Sequence, residues 1–155
     1  MNIIFLDIDG VLNNLGSVAA FGNPSKYLDP VSIGLIAKLC EQAPAQIVIS
    51  SSWRNGDTAK IENDLRTLGC GSFTARIIDE TDDLLGVRGE EIAKWWKENG
   101  HMWDGYVIID DDSDMLPGQP FVKTTFQDGF RFEHYVKCMR ILNPEHRDAD
   151  RRLIS

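Results

Sequence analysis

The sequence lacks the features that would assign it to several specialised classes of protein. Its three cysteines, Cys40, Cys70 and Cys138, are scattered and odd in number, which predicts reduced thiols and not a disulfide framework. No apolar run approaches the roughly 18 residues that a membrane span needs, and no basic region precedes an apolar signal segment at the N-terminus. We therefore expect a cytoplasmic protein with no membrane partner.

Positive charge is scarce as well. The 24 acidic residues outnumber the 16 Lys and Arg, and the formal net charge is -8. Because non-specific coating of DNA or RNA depends on neutralising many phosphates with Lys and Arg, this composition argues against such a mode of binding. A small local phosphate site is still compatible with it.

Short apolar runs alternate with helical patterns along the 155 residues. The predicted strands are 1–6, 47–49, 75–79, 106–109 and 121–122. The predicted helices span about 29–42, 55–69, 88–100 and 130–142. Residues 14–28, rich in small and polar side chains, have no reliable period and predict an irregular flap. We expect one domain over residues 1–142, followed by a charged tail over residues 143–155.

The strands are too apolar for a sheet that is covered on one face only. The alternation of strands and helices instead predicts the α/β class, with a Rossmann-like parallel sheet of about five strands and helices on both faces. In such sheets ligands bind outside the carboxyl ends of the strands. The residues that follow each strand are therefore the candidates for function.

The first strand stops abruptly at two carboxylates, Asp7 and Asp9. Residues two apart in an extended backbone project from the same face, so these like charges need a cation between them, and a divalent metal is the simplest candidate. Gly10 follows and allows the chain to turn away with any φ. The alternative is an ordinary strand end with solvated acids.

Polar residues also follow the second and fourth strands, at 50–52 and 110–114. Carboxylates from two strand ends suit Mg²⁺, which prefers oxygen ligands. The backbone at Gly10 and the Ser51 hydroxyl can donate to phosphate oxygens, and Arg88 supplies a permanent positive charge. With the charge neutralised, one carboxylate can attack phosphorus while another transfers protons.

These segments resemble a known family. Asp-Ile-Asp-Gly-Val at 7–11, a serine after the second strand, a basic residue before a later helix and an acidic cluster after the fourth strand resemble the haloacid dehalogenase (HAD) superfamily of phosphohydrolases. Ser-Ser-Ser-Trp-Arg at 50–54, Arg-Gly-Glu-Glu-Ile at 88–92 and the segment 107–115 are similar to its small branch in RNA-repair proteins. The resemblance covers about residues 2–142 and implies a HAD core without a cap domain.

The resemblance implies a phosphatase that works through an aspartyl phosphate. Asp7 would be the nucleophile and Asp9 the general acid and base. Ser51 would bind the phosphoryl group, with Ser50 as the alternative because the run of serines leaves the register open. Arg88 stands where most relatives use Lys, and Lys94 is a less favoured substitute.

The resemblance also implies a Mg²⁺ site. Its expected ligands are Asp7, Asp9 through its carbonyl, Asp110, and either Asp111 or Asp114. Arg54 is a candidate for contact with the substrate.

The intervals between the four segments leave no room for a large cap. The resemblance implies that members without a cap have open sites, which suit a phosphate on a polymer end. A nucleotide or nucleic-acid end is therefore the expected substrate, with another small phosphoester as an alternative. A receiver-type signalling domain also combines acids, a hydroxyl and a cation at strand ends, but its phosphorylated Asp normally follows a later strand. A catalytically silent binding domain is the third hypothesis.

Overall fold

The strands form one parallel sheet with β1 at its centre. The structure, a computed structural model, describes residues 1–21, 28–52, 57–67, 69–143 and 145. The strands within these residues are β1 Asn2–Leu6, β2 Ala45–Ile49, β3 Ile77–Glu80, β4 Tyr106–Asp110 and β5 Phe121–Lys123. Their order is β3-β2-β1-β4-β5, and every neighbouring pair is parallel. The predicted α/β class is thereby confirmed.

Helices connect β1 to β2, β2 to β3 and β3 to β4, and one further helix follows β5. They are α1 Leu15–Phe21, α2 Pro30–Gln42, α3 Asp57–Thr67, α4 Gly71–Thr74, α5 Arg88–Asn99 and α6 Phe132–Leu142, with a short 3₁₀ helix at Gly100–Met102. Helix α2 begins as the sequence predicts, because the Asp29 side chain accepts a hydrogen bond from Val31 N at 2.9 Å and Pro30 occupies the first turn. In the described part of the chain, no helix has the length and hydropathy of a membrane span.

Both faces of the sheet are buried. Successive side chains of a strand point to opposite faces, so Ile4 and Leu6 pack in one cluster while Ile3 and Phe5 pack in the other. The first cluster includes residues from α2, α3 and α6, and the second includes Ile92 and Trp95 from α5. This two-sided burial explains why the strands are continuous apolar runs.

The prediction of an irregular flap over residues 14–28 is wrong in its first half, where α1 forms. Asn14 and Ser17 begin this helix through reciprocal bonds: Ser17 N donates to Asn14 Oδ1 at 2.9 Å, and Asn14 N donates to Ser17 Oγ at 3.0 Å. The helix is only seven residues long and none of its described side chains is buried, so hydrophobic periodicity did not reveal it. Residues 22–27 of the predicted flap lie outside the described residues.

Smaller differences concern element boundaries. The third strand begins two residues later than predicted, after the short helix α4, which the sequence pattern did not indicate. In α6, Cys138 faces the core, whereas Val136 is half-buried. Residue 68, which falls in the predicted helix over 55–69, and most of the predicted tail lie outside the described residues.

We predict that Gly89→Ala destabilises the protein. A Cβ at Gly89 would lie 2.5 Å from Leu116 N and 2.9 Å from Met115 Cα, and backbone atoms of a packed loop cannot move aside cheaply. The expected loss is about 1–3 kcal/mol in the free energy of unfolding, measured by urea denaturation.

Gly34→Ala in α2 is the matched control. A Cβ there meets nothing within 4 Å, so the substitution should stabilise the helix by about 0.5–1 kcal/mol. Equal stabilities for the two variants would contradict the close packing of α5 on the loop at 115–116.

Candidate active site

The ends of the three central strands bring separate segments to one edge. The ladders continue past the strands, because Asp7 N donates to Ile109 O at 3.0 Å and Ser50 N donates to Leu6 O at 2.9 Å. Asp7, Ser50 and Asp110 therefore share the carboxyl edge of the sheet, where ligands of such folds bind.

Three carboxylates meet at this edge. Asp7, Asp110 and Asp111 each offer an oxygen, and these oxygens all lie within 4.8 Å of one another. Asp7 is 6% exposed and Asp110 is 1% exposed, whereas Asp111 is half-buried. Of the two acids that the sequence left open, the structure places Asp111 in the cluster with Asp110.

Arg88 is the cation beside this cluster. Its Nη1 lies 3.2 Å from Asp7 Oδ1, and its Nε lies 3.4 Å from Asp110 Oδ2. Nη1 also donates to the carbonyl of Ser50. Lys94, the alternative that the sequence offered, pairs instead with Asp82 and Glu98.

Asp114 holds the start of α5, from which Arg88 projects. Its Oδ2 accepts from Arg88 N at 2.9 Å, and its carbonyl accepts from Gly89 N at 3.1 Å. These bonds satisfy two backbone N–H groups that a helix N-terminus leaves free. Asp114 therefore stabilises the N-terminus of α5. Spacing in the sequence does not reveal this contact.

The electrostatics of the metal-free cluster are unfavourable for ionised carboxylates. Burial and the nearby Asp110 raise the pKa of Asp7 to about 8, although Arg88 and a hydrogen bond with Ser51 act in the opposite direction. Burial likewise raises the pKa of Asp110 to about 6. One arginine does not compensate for three carboxylates.

The residues present fit a divalent cation. Asp110 Oδ2 is buried and has no hydrogen-bond partner among the described residues, since Arg88 Nε is near it without forming a hydrogen bond. A set of carboxylate oxygens is the ligand type that Mg²⁺ prefers. A Cβ at Gly10, whose φ is +74°, would lie 2.3 Å from Asp111 Oδ2. Only glycine at this position therefore leaves room for the Asp111 carboxylate.

Asp9 is held apart from the carboxylate cluster by Asn13. Asn13 Nδ2 donates to Asp9 Oδ1 at 2.8 Å, and Gly10 N donates to Asn13 Oδ1 at 2.9 Å. The Gly10 N–H, which the sequence predicts as a phosphate donor, is thus engaged in this structure. Phosphate binding by Gly10 requires exchange of that bond and stays a prediction, as does metal binding by the Asp9 carbonyl.

Asn13 is a site residue that sequence reasoning missed. It is fully buried, and its amide ties the proposed acid and base to the turn that follows β1. The one available signal was an asparagine shortly after Asp9, because such side chains often bond nearby backbone groups in turns.

The two serines differ in their surroundings. Ser51 is fully buried and hydrogen-bonds to Asp7, whereas the buried Ser50 Oγ has no partner among the described residues. Ser51 is therefore the serine in contact with Asp7. Phosphate binding by Ser51, with Ser50 as the alternative, stays a prediction. Arg54, the candidate substrate contact, lies outside the described residues.

We predict that Asp7→Asn stabilises the metal-free protein at pH 8 and that this advantage shrinks at pH 5. An unfolded Asp ionises at about pH 3.9, whereas folded Asp7 keeps its proton up to about pH 8. Between these values the folded state binds more protons than the unfolded state, so rising pH destabilises the wild type. Asparagine carries no charge and avoids this loss.

Urea unfolding with a chelator at both pH values measures the difference, which should reach at least about 1 kcal/mol at pH 8. Mg²⁺ should then raise the stability of the wild type more than that of the variant. A stability difference that is the same at pH 5 and pH 8 would show that Asp7 is ionised throughout.

Comparison with known proteins places the chain in a family. A family profile described as "HAD domain in Swiss Army Knife RNA repair proteins" matches residues 3–135, which include every member of the carboxylate cluster and Arg88. Searches of curated proteins and of solved structures returned no significant match. The family suggests phosphohydrolase chemistry, and the cluster of Asp7, Asp110 and Asp111 is compatible with it. The chain belongs to the HAD domain family of Swiss Army Knife RNA-repair proteins.

Proposed function

We propose that the protein is a Mg²⁺-dependent phosphomonoester hydrolase that works through an aspartyl phosphate on Asp7. The observation that carries this proposal is the position of Asp7, buried between Arg88 on one side and the carboxylates of Asp110 and Asp111 on the other. Buried carboxylates this close together are costly to ionise without a cation between them, so a functional role accounts for their presence.

The metal ligands would be Asp7, Asp110 and Asp111, together with the Asp9 carbonyl. When bound, Mg²⁺ would neutralise the carboxylates and polarise the phosphoryl group. Arg88 carries a charge that does not depend on pH and points at Asp7, so it would stabilise the negative charge that builds up around phosphorus. Ser51 would orient the Asp7 carboxylate and a phosphoryl oxygen.

The reaction has two half-steps. In the first, a carboxylate oxygen of Asp7 bonds to phosphorus, the ester P–O bond breaks, and Asp9 gives its proton to the leaving oxygen. In the second, Asp9 takes a proton from water, the water oxygen bonds to phosphorus, and the bond to Asp7 breaks to release phosphate. Asn13 would hold Asp9 for both proton transfers.

We propose a phosphorylated nucleotide or nucleic-acid end as the substrate. The chain between Asp7 and Ser51 contains α1, α2 and β2, and the chain between Ser51 and Arg88 contains α3, α4 and β3. Neither interval therefore leaves room for a large cap over the site, and residues 1–142 would form one capless domain. The family's description as RNA-repair proteins supports this substrate class.

Hydrolysis of a generic aryl phosphate, with and without Mg²⁺, tests the mechanism. We predict that Asp7→Asn lowers kcat by at least about 10³-fold, as expected for loss of a nucleophile. Asp104→Asn is the matched control, because this exposed carboxylate pairs with the N-terminus and lies outside the carboxylate cluster. Equal activity in wild type and Asp7→Asn would rule out the aspartyl phosphate.

The wild type and Asp9→Asn together distinguish this proposal from the receiver-type alternative. A receiver domain incubated with a small acyl phosphate should accumulate a stable phosphoprotein and release little phosphate. Our proposal expects continuous release of phosphate by the wild type and a loss of turnover in Asp9→Asn.

A substrate panel tests the proposed class. We predict that oligonucleotides with a 3′- or 5′-terminal phosphate have a kcat/KM at least about tenfold above that of sugar phosphates. Contacts between the protein and the rest of the polymer would need to contribute only about 1.4 kcal/mol for this factor of ten. Mononucleotides should fall between these two groups. A preference for sugar phosphates would contradict the substrate proposal and leave the mechanism intact.

A further inference from the structure

Thr124 lies directly after β5 and connects two loops of the candidate site. It is fully buried. Its backbone N–H donates to the Asp110 carbonyl at 2.9 Å, and its hydroxyl donates to the Gly10 carbonyl at 2.6 Å. The Gly10 loop carries Asp7 and Asp9, while Asp110 begins the acidic loop, so one residue joins the two segments that supply the cluster.

These two loops need an attachment to each other. When Asp7 on one loop and Asp110 and Asp111 on the other are ionised, like charges lie within 4.8 Å of one another, and their repulsion tends to separate the loops. The Asp111 carboxylate also packs directly on Gly10, so a small shift of Gly10 would displace a proposed metal ligand. The hydrogen bond from the Thr124 hydroxyl to the Gly10 carbonyl opposes both movements.

The segment 124–130 continues along the same loop. Leu15 N donates to Phe126 O at 2.8 Å, and Phe130 N donates to Val11 O at 3.0 Å. Both bonds join backbone groups and do not depend on side-chain identity. The hydroxyl of Thr124, in contrast, can be removed by substitution while the rest of this backbone contact stays in place.

We propose that Thr124 is a positioning residue whose hydroxyl sets the spacing between the Gly10 loop and the Asp110–Asp111 loop, and with it the affinity of the site for a divalent cation. The metal is the one that the proposed function requires, and the inference rests on that function. Groups outside the ligand shell that orient the metal ligands commonly contribute about 10- to 100-fold to metal affinity.

The test compares Thr124→Val, which keeps the shape but removes the hydroxyl, with Thr124→Ser, which keeps the hydroxyl. Ser32→Ala is the matched control, because the buried Ser32 hydroxyl also donates to a distant carbonyl, that of Phe130, at 3.1 Å. Mn²⁺ binding by calorimetry is the main measurement, and thermal unfolding of each metal-free protein shows whether it is folded.

We predict that Thr124→Val weakens Mn²⁺ binding by at least about tenfold, while Thr124→Ser stays within about threefold of the wild type. Ser32→Ala should lower the Tm by an amount similar to Thr124→Val yet bind Mn²⁺ normally. A merely structural role for Thr124 would move the Tm without this difference in affinity.

Unchanged Mn²⁺ affinity in Thr124→Val would overturn the inference, and so would equal weakening in Thr124→Ser. A wild type that binds no Mn²⁺ would overturn it as well. If the wild type binds Mn²⁺ but hydrolyses no phosphoester, only the proposed function fails, and the comparison of Thr124 variants still decides the positioning role.

Discussion

The central constraint on the site is the repulsion that arises when Asp7, Asp110 and Asp111 are ionised together. Their oxygens lie within 4.8 Å of one another at the centre of the sheet, where β1 and β4 end side by side. An ionised pair at such a distance repels by roughly 3 kcal/mol at an effective dielectric constant of about 20. Arg88 offsets part of this repulsion through its contacts with Asp7 and Asp110. Burial and the remaining repulsion from Asp110 together raise the pKa of Asp7, so a divalent cation is the natural occupant of the site.

The surrounding backbone holds these charges in place against that repulsion. The acidic loop lies against α5 at Gly89, where a side chain would collide with Leu116 N, and Asp114 is hydrogen-bonded to the first turn of the same helix. On the opposite side, Thr124 joins the Gly10 loop to Asp110. The cation Arg88 and the carboxylates thus belong to one connected set of contacts, so displacement of one loop would alter the others.

The fold was predictable because its signals are local. Apolar runs at β1, β2 and β4 end in polar residues, and the parallel topology alone then brings Asp7 and Asp110 to one edge. Helix α1 was not predicted because it begins with the Asn14–Ser17 hydrogen bonds and, at seven residues, is too short for a helical hydrophobic period to repeat. The roles of Asn13, Asp114 and Thr124 depend on which backbone group each side chain reaches. For Thr124 that group is 114 positions away, a pairing that no spacing rule gives.

The central claim is that Asp7 accepts the phosphoryl group beside a cation held by Asp110 and Asp111. A crystal structure grown with Mg²⁺ and beryllium fluoride, which mimics a phosphoryl group on a carboxylate, tests this claim most directly. We predict beryllium bonded to Asp7, an adjacent Mg²⁺ in contact with Asp110, and Arg88 beside the fluorides. Beryllium on another residue, or a metal bound away from these carboxylates, would contradict it.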